Sequence, residues 1–268
     1  MPHPFFALPR PIAIGHRGCA GEMPENTLAA FERGLADGAA ILETDVHLTR
    51  DGVPVLIHDD AVGRVTDGEG PVREFPFADL QRLDAGHRFT AADGTTPMRG
   101  TGHRIPSLAE ALAALPGARF NLELKEDLPD IVERTLGVIQ DAKRAERTLV
   151  TSGDDTLMQR IRETVAREKS AVALGASAND VARFAVATLR GETPPSGPMA
   201  FQVPPDFAGQ PLVTEAFVAS AHEHGVQVHV WTINDPDEID ALFDLGVDGI
   251  VSDHPARVAR VIAQRANS

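Results

Sequence analysis

The sequence predicts an α/β fold, a (β/α)8 TIM barrel with a long insertion after its second strand. Three observations predict it. Short β-branched or apolar runs alternate with amphipathic stretches along the whole chain. There are eight of each within about 250 residues, the count at which a parallel sheet closes on itself. One segment alone, 59–106, breaks the rhythm, being rich in Gly, Asp and Arg. An open doubly wound sheet is the rival architecture, and no Gly-x-Gly-x-x-Gly follows the first strand to support it.

The first unit pairs a strand at 11–15 with a helix at 26–37. Between them Pro24-Glu25-Asn26-Thr27 turns the chain and offers Asn26 or Thr27 as the helix cap. The second strand, 40–46, carries an extension at 53–58 from which the insertion departs. That insertion holds only a short helical pattern at 77–83 and ends where Ser107 and Glu110 read as a capping box for a helix at 107–115. A strand at 119–125 leads to a helix at 130–145, and Lys143, Arg144 and Arg147 surround a helix end, where cations suit the macrodipole. Strands at 147–152 and 170–175 precede helices at 155–167 and 179–189. The stretch 191–198 then reads as a plain connector at the far end, whereas 204–211, after the strand at 199–203, belongs on the same rim as the insertion. A helix at 214–223 and a strand at 226–231 follow. Asp235, Pro236 and Glu238 supply a cap, a first-turn proline and an acid for the helix at 236–245. The last unit is a strand at 248–252 with a helix at 256–265.

The 268 residues include 25 Lys+Arg against 39 Asp+Glu, a formal net charge of −14, which argues against a surface that coats nucleic acid. With 43% hydrophobic residues, and 23 Gly and 20 Pro spread along it, the chain is expected to fold as one globular domain over 1–268, its insertion 59–106 lying over the carboxyl-end mouth. A single cysteine excludes an intramolecular disulfide framework and a multi-thiolate zinc site. No apolar run approaches the roughly 18 to 20 residues of a membrane span, and the first eleven residues lack the basic head and apolar run of a signal peptide. The expectation is a soluble, cytoplasmic protein without stable membrane insertion, its oligomeric state open.

Function is read from strand ends. Residues two apart in a strand share a face, so Glu43 and Asp45 point the same way, as do Glu123 and Lys125. His16 and Arg17 close the first strand, and His58 closes the extension of the second. In an αβ barrel these ends form the active face. Three inward carboxylates repel one another by about 4 kcal/mol per pair at 4 Å and an effective dielectric near 20, so a cation must sit between them. An all-oxygen set selects a hard divalent ion, Mg²⁺ or Ca²⁺. Three negative charges, one dication, Arg17 and Lys125 leave a net of one positive charge, matched to the single negative charge of a phosphodiester. His16 and His58, on different strand ends, complete an acid and base pair.

The other polar candidates carry less. Trp231 ends the seventh strand and reads as a mouth-lining aromatic, with His229 a hydrogen-bonded core histidine deeper on the same face. Glu25 and Asn26 either serve the turn alone or reach the site or the Arg17 loop. Phe207 rims the mouth or merely packs. His222 and His224 lie two apart on a helix and so are no metal pair. Cys19 reads as a small packed side chain, and His3, His47, His87 and His103 have no partner at a telling spacing.

The motifs His16-Arg17-Gly18, Pro24-Glu25-Asn26-Thr27, Glu43-Thr44-Asp45-Val46, Thr49-Arg50-Asp51-Gly52 and His58-Asp59 closely resemble those of glycerophosphodiester phosphodiesterases. The resemblance continues through Leu83-Asp84-Ala85-Gly86, Ile105-Pro106-Ser107-Leu108, Glu123-Leu124-Lys125, Trp231-Thr232-Ile233-Asn234 and Gly246-Val247-Asp248-Gly249-Ile250. It implies a phosphodiesterase-type barrel with Glu43, Asp45 and Glu123 on one divalent metal. It makes His16 and His58 the acid and base, with Arg17 and Lys125 on the phosphate. The implied substrates are small glycerophosphodiesters such as glycerophosphocholine and glycerophosphoethanolamine, split into glycerol 3-phosphate and an alcohol. The implied route is attack by the neighbouring glycerol hydroxyl, then opening of a cyclic phosphate by water. Departures from the family pattern fall on substrate contacts: Gly153 and His87 stand where aromatics are usual, and His254 where a basic residue is frequent. The alternative activity is that of a phospholipase D-like or lysophospholipid-cleaving enzyme of the same barrel superfamily. A barrel that binds its ligand without turnover is a further alternative.

Overall fold

The computed structural model describes residues 3–267. Its strands are β1 (Ile12–Gly15), β2 (Ile41–Leu48), β3 (Pro54–Leu56), β4 (Phe120–Leu124), β5 (Thr148–Thr151), β6 (Ala173–Leu174), β7 (Ala200–Val203), β8 (Asp206–Phe207), β9 (Gln210–Pro211), β10 (Gln227–Val230) and β11 (Gly249–Ser252). Eight of them run parallel in the order β6-β5-β4-β2-β1-β11-β10-β7. Across the one unpaired seam the Met199 backbone N–H donates to the Leu174 carbonyl at 2.9 Å, so the sheet nearly closes into the expected barrel.

The helices are α1 (Leu28–Ala36), α2 (Phe77–Leu80), α3 (Leu108–Ala114), α4 (Ile131–Asp141), α5 (Asp155–Glu168), α6 (Ala178–Arg190), α7 (Glu215–Glu223), α8 (Pro236–Asp244) and α9 (Pro255–Arg265). Their starts follow the side-chain chemistry. Thr27 accepts from the Ala30 N–H and is the cap of α1, Ser107 and Glu110 form the capping box of α3, and Asp235 accepts from the N–H groups of Asp237 and Glu238 ahead of α8. Arg144 departs from the local reading. It lies beyond α4 yet turns its guanidinium onto the carbonyls of Leu112, Leu115 and Ala118, at and beyond the carboxyl end of α3. Those carbonyls have no partner within α3, which is why a buried cation is tolerated there.

Inside the barrel, Ile12, Ile14, Ile41, Leu149, Ala173, Ala200 and Val251 form one apolar cluster with Phe5 and Phe6, which a 3-10 turn at Pro4–Phe6 packs against them. Apolar side chains thus fill the strand beginnings and leave the polar ones at the carboxyl ends.

The extension at 53–58 differs from expectation. It does not prolong β2 but returns beside it as antiparallel β3, with Val46 opposite Leu56. The reason is the turn: the Thr49 hydroxyl accepts from the Val53 N–H, Gly52 bonds back to the Thr49 carbonyl, and Gly52 adopts φ +76°, which glycine supplies at low cost. The return carries Ile57 back to the level of Asp45, whose carbonyl accepts its N–H at 3.1 Å, and His58 follows. Segment 59–106 has a small core of its own in which Val62, Val72, Leu80, Ala85 and Ile105 pack on Val55 and Ile57. The stretch at 204–211 contains the short hairpin of β8 and β9, with Phe207 exposed. Cys19 is fully buried.

Candidate active site

The strand register assembles the site. In the parallel pairing of β2 with β4, Asp45 lies opposite Glu123 and Glu43 opposite Asn121, so all point to the barrel axis. Glu43, Asp45 and Glu123 each offer an oxygen, and these atoms lie within 4.8 Å of one another. They line a cavity of about 290 Å³ together with His16, Arg17, His58, Lys125 and Trp231. Every side chain singled out from the sequence as catalytic, phosphate-binding or metal-ligating therefore faces one space.

The carboxylates are unequally satisfied. Asp45 is buried, accepts from Asn26 Nδ2 at 3.1 Å, and has Lys125 Nζ at 3.5 Å and Arg17 Nε at 3.7 Å. Lys125 also donates to Glu123 at 3.1 Å, and these two acids hold its ammonium charged against its burial. Among the described residues Glu43 accepts a hydrogen bond only from the Arg17 backbone N–H, at 3.0 Å; burial and the neighbouring charge of Asp45 push its carboxyl well above the usual range. Residual repulsion in an all-oxygen set is the condition a hard dication relieves, so the donor set fits Mg²⁺ or Ca²⁺.

Both histidines are oriented by acids. His16 Nδ1 lies 2.6 Å from Asp253 Oδ1, and His58 Nδ1 lies 2.6 Å from Asp59 Oδ1. An ionised carboxylate only accepts, so each Nδ1 carries a proton and each Nε2 is left to work in the cavity. His16 Nε2 stands 4.0 Å from Glu43 Oε2. Burial works against a charge on His16, but the Asp253 hydrogen bond and the field of Glu43 raise its pKa above the ordinary value. Asp253 is itself fixed by Asn234, whose amide donates to Oδ2 at 2.7 Å and whose carbonyl oxygen accepts from the Asp253 N–H. His47, which has no sequence partner, touches the His58 carbonyl through Nε2 at 3.1 Å.

The loop after β1 needs its local geometry. Arg17 sits at φ +47° and Asn26 at φ +57°, in the left-handed region that non-glycine residues seldom enter, and the Asn26 N–H donates to the Arg17 carbonyl at 3.0 Å. A Cβ at Gly18 would fall 2.6 Å from the Ala30 carbonyl carbon, so only glycine lets the loop lie on α1. Of the two readings of the Pro24–Thr27 turn, both hold: Thr27 caps, while Asn26 reaches Asp45 and Glu25 takes Arg17 Nη1 at 2.8 Å.

Trp231 is 43% exposed at the mouth, as expected. His229 is buried and meets Gln227 Oε1 at 3.0 Å. His222 and His224 form no metal pair; His222 meets Asp248 and His224 the Ser220 carbonyl. Sequence reasoning missed Asp253, Asn234 and the orienting role of Asp59. For Asp59 the adjacency to His58 was the available signal. For the others only the fold brings the partners together.

Comparison with known proteins accords with this geometry. The family described as "Glycerophosphoryl diester phosphodiesterase family" matches residues 16–257. The chain is 29% identical over 256 residues to a glycerophosphodiester phosphodiesterase of Caldanaerobacter subterraneus subsp. tengcongensis, covering 94% of this chain and 97% of that one. It is 30% identical over 257 residues to a glycerophosphodiester phosphodiesterase of Bacillus altitudinis, covering 92% and 96%. Among solved structures, an Oleispira antarctica phosphodiesterase in complex with the product sn-glycerol-3-phosphate superposes with a TM-score of 0.73 at 27% identity, covering 95% of this chain and 97% of that one. No helix among the described residues is long and apolar enough to cross a membrane. A match across nearly the whole barrel places this chain in the glycerophosphoryl diester phosphodiesterase family, whose members are phosphoric diester hydrolases.

Proposed function

We propose that the protein is a metal-dependent glycerophosphodiesterase that converts small deacylated phospholipid head groups, such as glycerophosphocholine and glycerophosphoethanolamine, to glycerol 3-phosphate and an alcohol. The observation that carries this reading is the placement of three carboxylates, two cations and two acid-oriented histidines around one cavity. The Oleispira structure, whose product is a glycerol phosphate, supports the substrate class.

Glu43, Asp45 and Glu123 would hold the divalent ion, which when bound draws electron density from a phosphoryl oxygen and offsets its charge. Arg17 and Lys125 bind the remaining phosphate charge. One histidine takes a proton at Nε2 from the attacking hydroxyl, and the other gives one to the leaving oxygen. Asp253 and Asp59 keep both rings in the required tautomer. The segment 59–106, as one part of a single-domain enzyme, would flank the mouth beside the loop after β1, where its Arg64, Val65 and Arg88 share a cleft with Pro24 and Glu25, and Trp231 on the cavity wall would contact the substrate.

The test is product release. With Mg²⁺ or Ca²⁺ present, glycerophosphocholine should yield glycerol 3-phosphate, and a chelator should stop it. His16→Ala and His58→Ala should each lower turnover by about 10²- to 10⁴-fold with unchanged circular dichroism. Near-normal rates in either variant would refute the assignment. A lysophospholipid assayed beside its deacylated counterpart separates the phospholipase D-like alternative, which requires the acylated substrate to be turned over faster.

A further inference from the structure

Arg64 lies on a 3-10 turn (Val62–Arg64) of the segment that follows β3, outside the cavity lining. Its guanidinium meets two carboxylates at once. Nη1 and Nη2 donate to Glu25 Oε2 and Oε1 at 2.8 and 2.7 Å, a two-point grip, while Nε donates to Asp59 Oδ2 at 2.5 Å. Each carboxylate then passes to a different working group. Glu25 Oε1 also accepts Arg17 Nη1 at 2.8 Å, and Asp59 Oδ1 faces His58 Nδ1 at 2.6 Å. Three separate parts of the chain meet at this one side chain: the turn before α1, the end of the β3 return, and the segment beyond it.

We propose that Arg64 is a positioning residue that aligns the phosphate-binding Arg17 and the acid or base His58 together, through Glu25 and Asp59. The proposal rests on the roles given to Arg17 and His58 above. Planar geometry is what makes it possible, because a guanidinium presents donors on two edges and so serves two carboxylates in fixed directions, which a point-charge ammonium does not. Without Arg64, Glu25 and Asp59 would be free to turn toward water, and Arg17 and His58 would lose their fixed orientation with them. The Arg64 side chain is 46% exposed. Exposed ion pairs add little to stability, so the effect belongs to alignment and not to the fold.

The outcome is read as a split between kinetic constants. Glu25→Gln should raise KM severalfold, Asp59→Asn should lower kcat about tenfold, and Arg64→Ala should do both while Tm stays within a few degrees. Because the partners act through one hub, Arg64→Ala added to either carboxylate variant should cost less than the product of the separate effects. Arg64→Lys keeps the charge and the stem, covers the case in which Arg64→Ala folds poorly, and should be impaired in at least one constant. Guanidinium ion at millimolar concentration should partly rescue Arg64→Ala. Wild-type constants in Arg64→Ala or in Arg64→Lys, or fully multiplicative effects in both double variants, would overturn the proposal. Each variant is also assayed on bis(4-nitrophenyl) phosphate. Wild-type enzyme that cleaves this generic diester but no glycerophosphodiester would sink the substrate reading alone, leaving the positioning role to be decided on the generic substrate.

Discussion

Asp253 holds the Nδ1 edge of His16 at 2.6 Å although 237 positions separate them in the chain. The two meet because β1 and β11 are neighbours in register, Gly15 beside Ser252, so that the residue after each strand arrives at the same height on the rim. The acid is ionised: burial raises its pKa, but the hydrogen bonds from His16 and Asn234 outweigh that and hold it below the usual carboxylate value. The tautomer of His16 is thereby fixed by a residue outside the cavity lining.

Asp253→Asn should therefore lower kcat by about tenfold to a hundredfold and leave KM nearly unchanged, since the amide can no longer act solely as an acceptor toward Nδ1. Steady-state kinetics on a phosphodiester decide the matter. A variant with unaltered kcat would mean that the ring keeps its tautomer without help.

His229 gives the protein an acid-side weakness apart from the chemistry. Burial in the barrel lowers its pKa to about 4, only partly opposed by the charge of Asp248. A histidine with a depressed native pKa contributes stability that is fully present above about 6.5, the unfolded value, and is lost as pH falls toward 4. About 2 kcal/mol should disappear between pH 8 and pH 5. Tm measured against pH should show the loss in wild type and a shallower slope in His229→Gln. Equal slopes would remove His229 as the cause.

Arg144 can be tested by truncation. Its guanidinium is the partner of three carbonyls at and beyond the α3 terminus, so Arg144→Met should lower stability by about 2 to 4 kcal/mol, from lost charge-assisted hydrogen bonds and newly unsatisfied buried acceptors. Denaturant unfolding reads it directly. Turnover below the transition should match wild type, as the side chain is not part of the cavity lining and faces the end of α3. A loss under about 0.5 kcal/mol would put Arg144 among ordinary surface residues.

What could be read from the chain was whatever local periodicity carries. Alternation along β2 and β4 turned Glu43, Asp45 and Glu123 inward, and the cap residues Ser107 and Asp235 marked helix starts that the structure reproduces. What escaped is contact across distance. Arg64 and Glu25 are 39 positions apart, and nothing in either neighbourhood announces the other. The direction of β3 escaped as well, because an apolar run such as 53–58 looks the same in a prolonged strand and in a returning one; only the Thr49–Gly52 turn decides. Arg144 was misleading for a related reason: its proximity to the end of α4 in sequence concealed a tertiary target on α3.

The strongest test of the metal site does not depend on activity. Glu43 is the carboxylate with least compensation, and burial together with Asp45 raises its pKa. A raised native pKa contributes stability below the unfolded value and loses it as pH climbs through the native one, so the ion-free protein should weaken on the alkaline side. Glu43→Gln keeps an oxygen acceptor for the Arg17 N–H but removes the charge. In chelator, the variant should melt with wild type at pH 5 and above it at pH 8. Adding Mg²⁺ or Ca²⁺ at pH 8 should reverse the order, since an ion at about a thousand times its Kd stabilises the native state by about 4.1 kcal/mol. The variant, one ligand charge short, should gain much less. Wild-type protein whose Tm ignores both ions at pH 8, with Glu43→Gln no more stable than wild type in chelator, would mean that Lys125 and Arg17 alone neutralise the three acids.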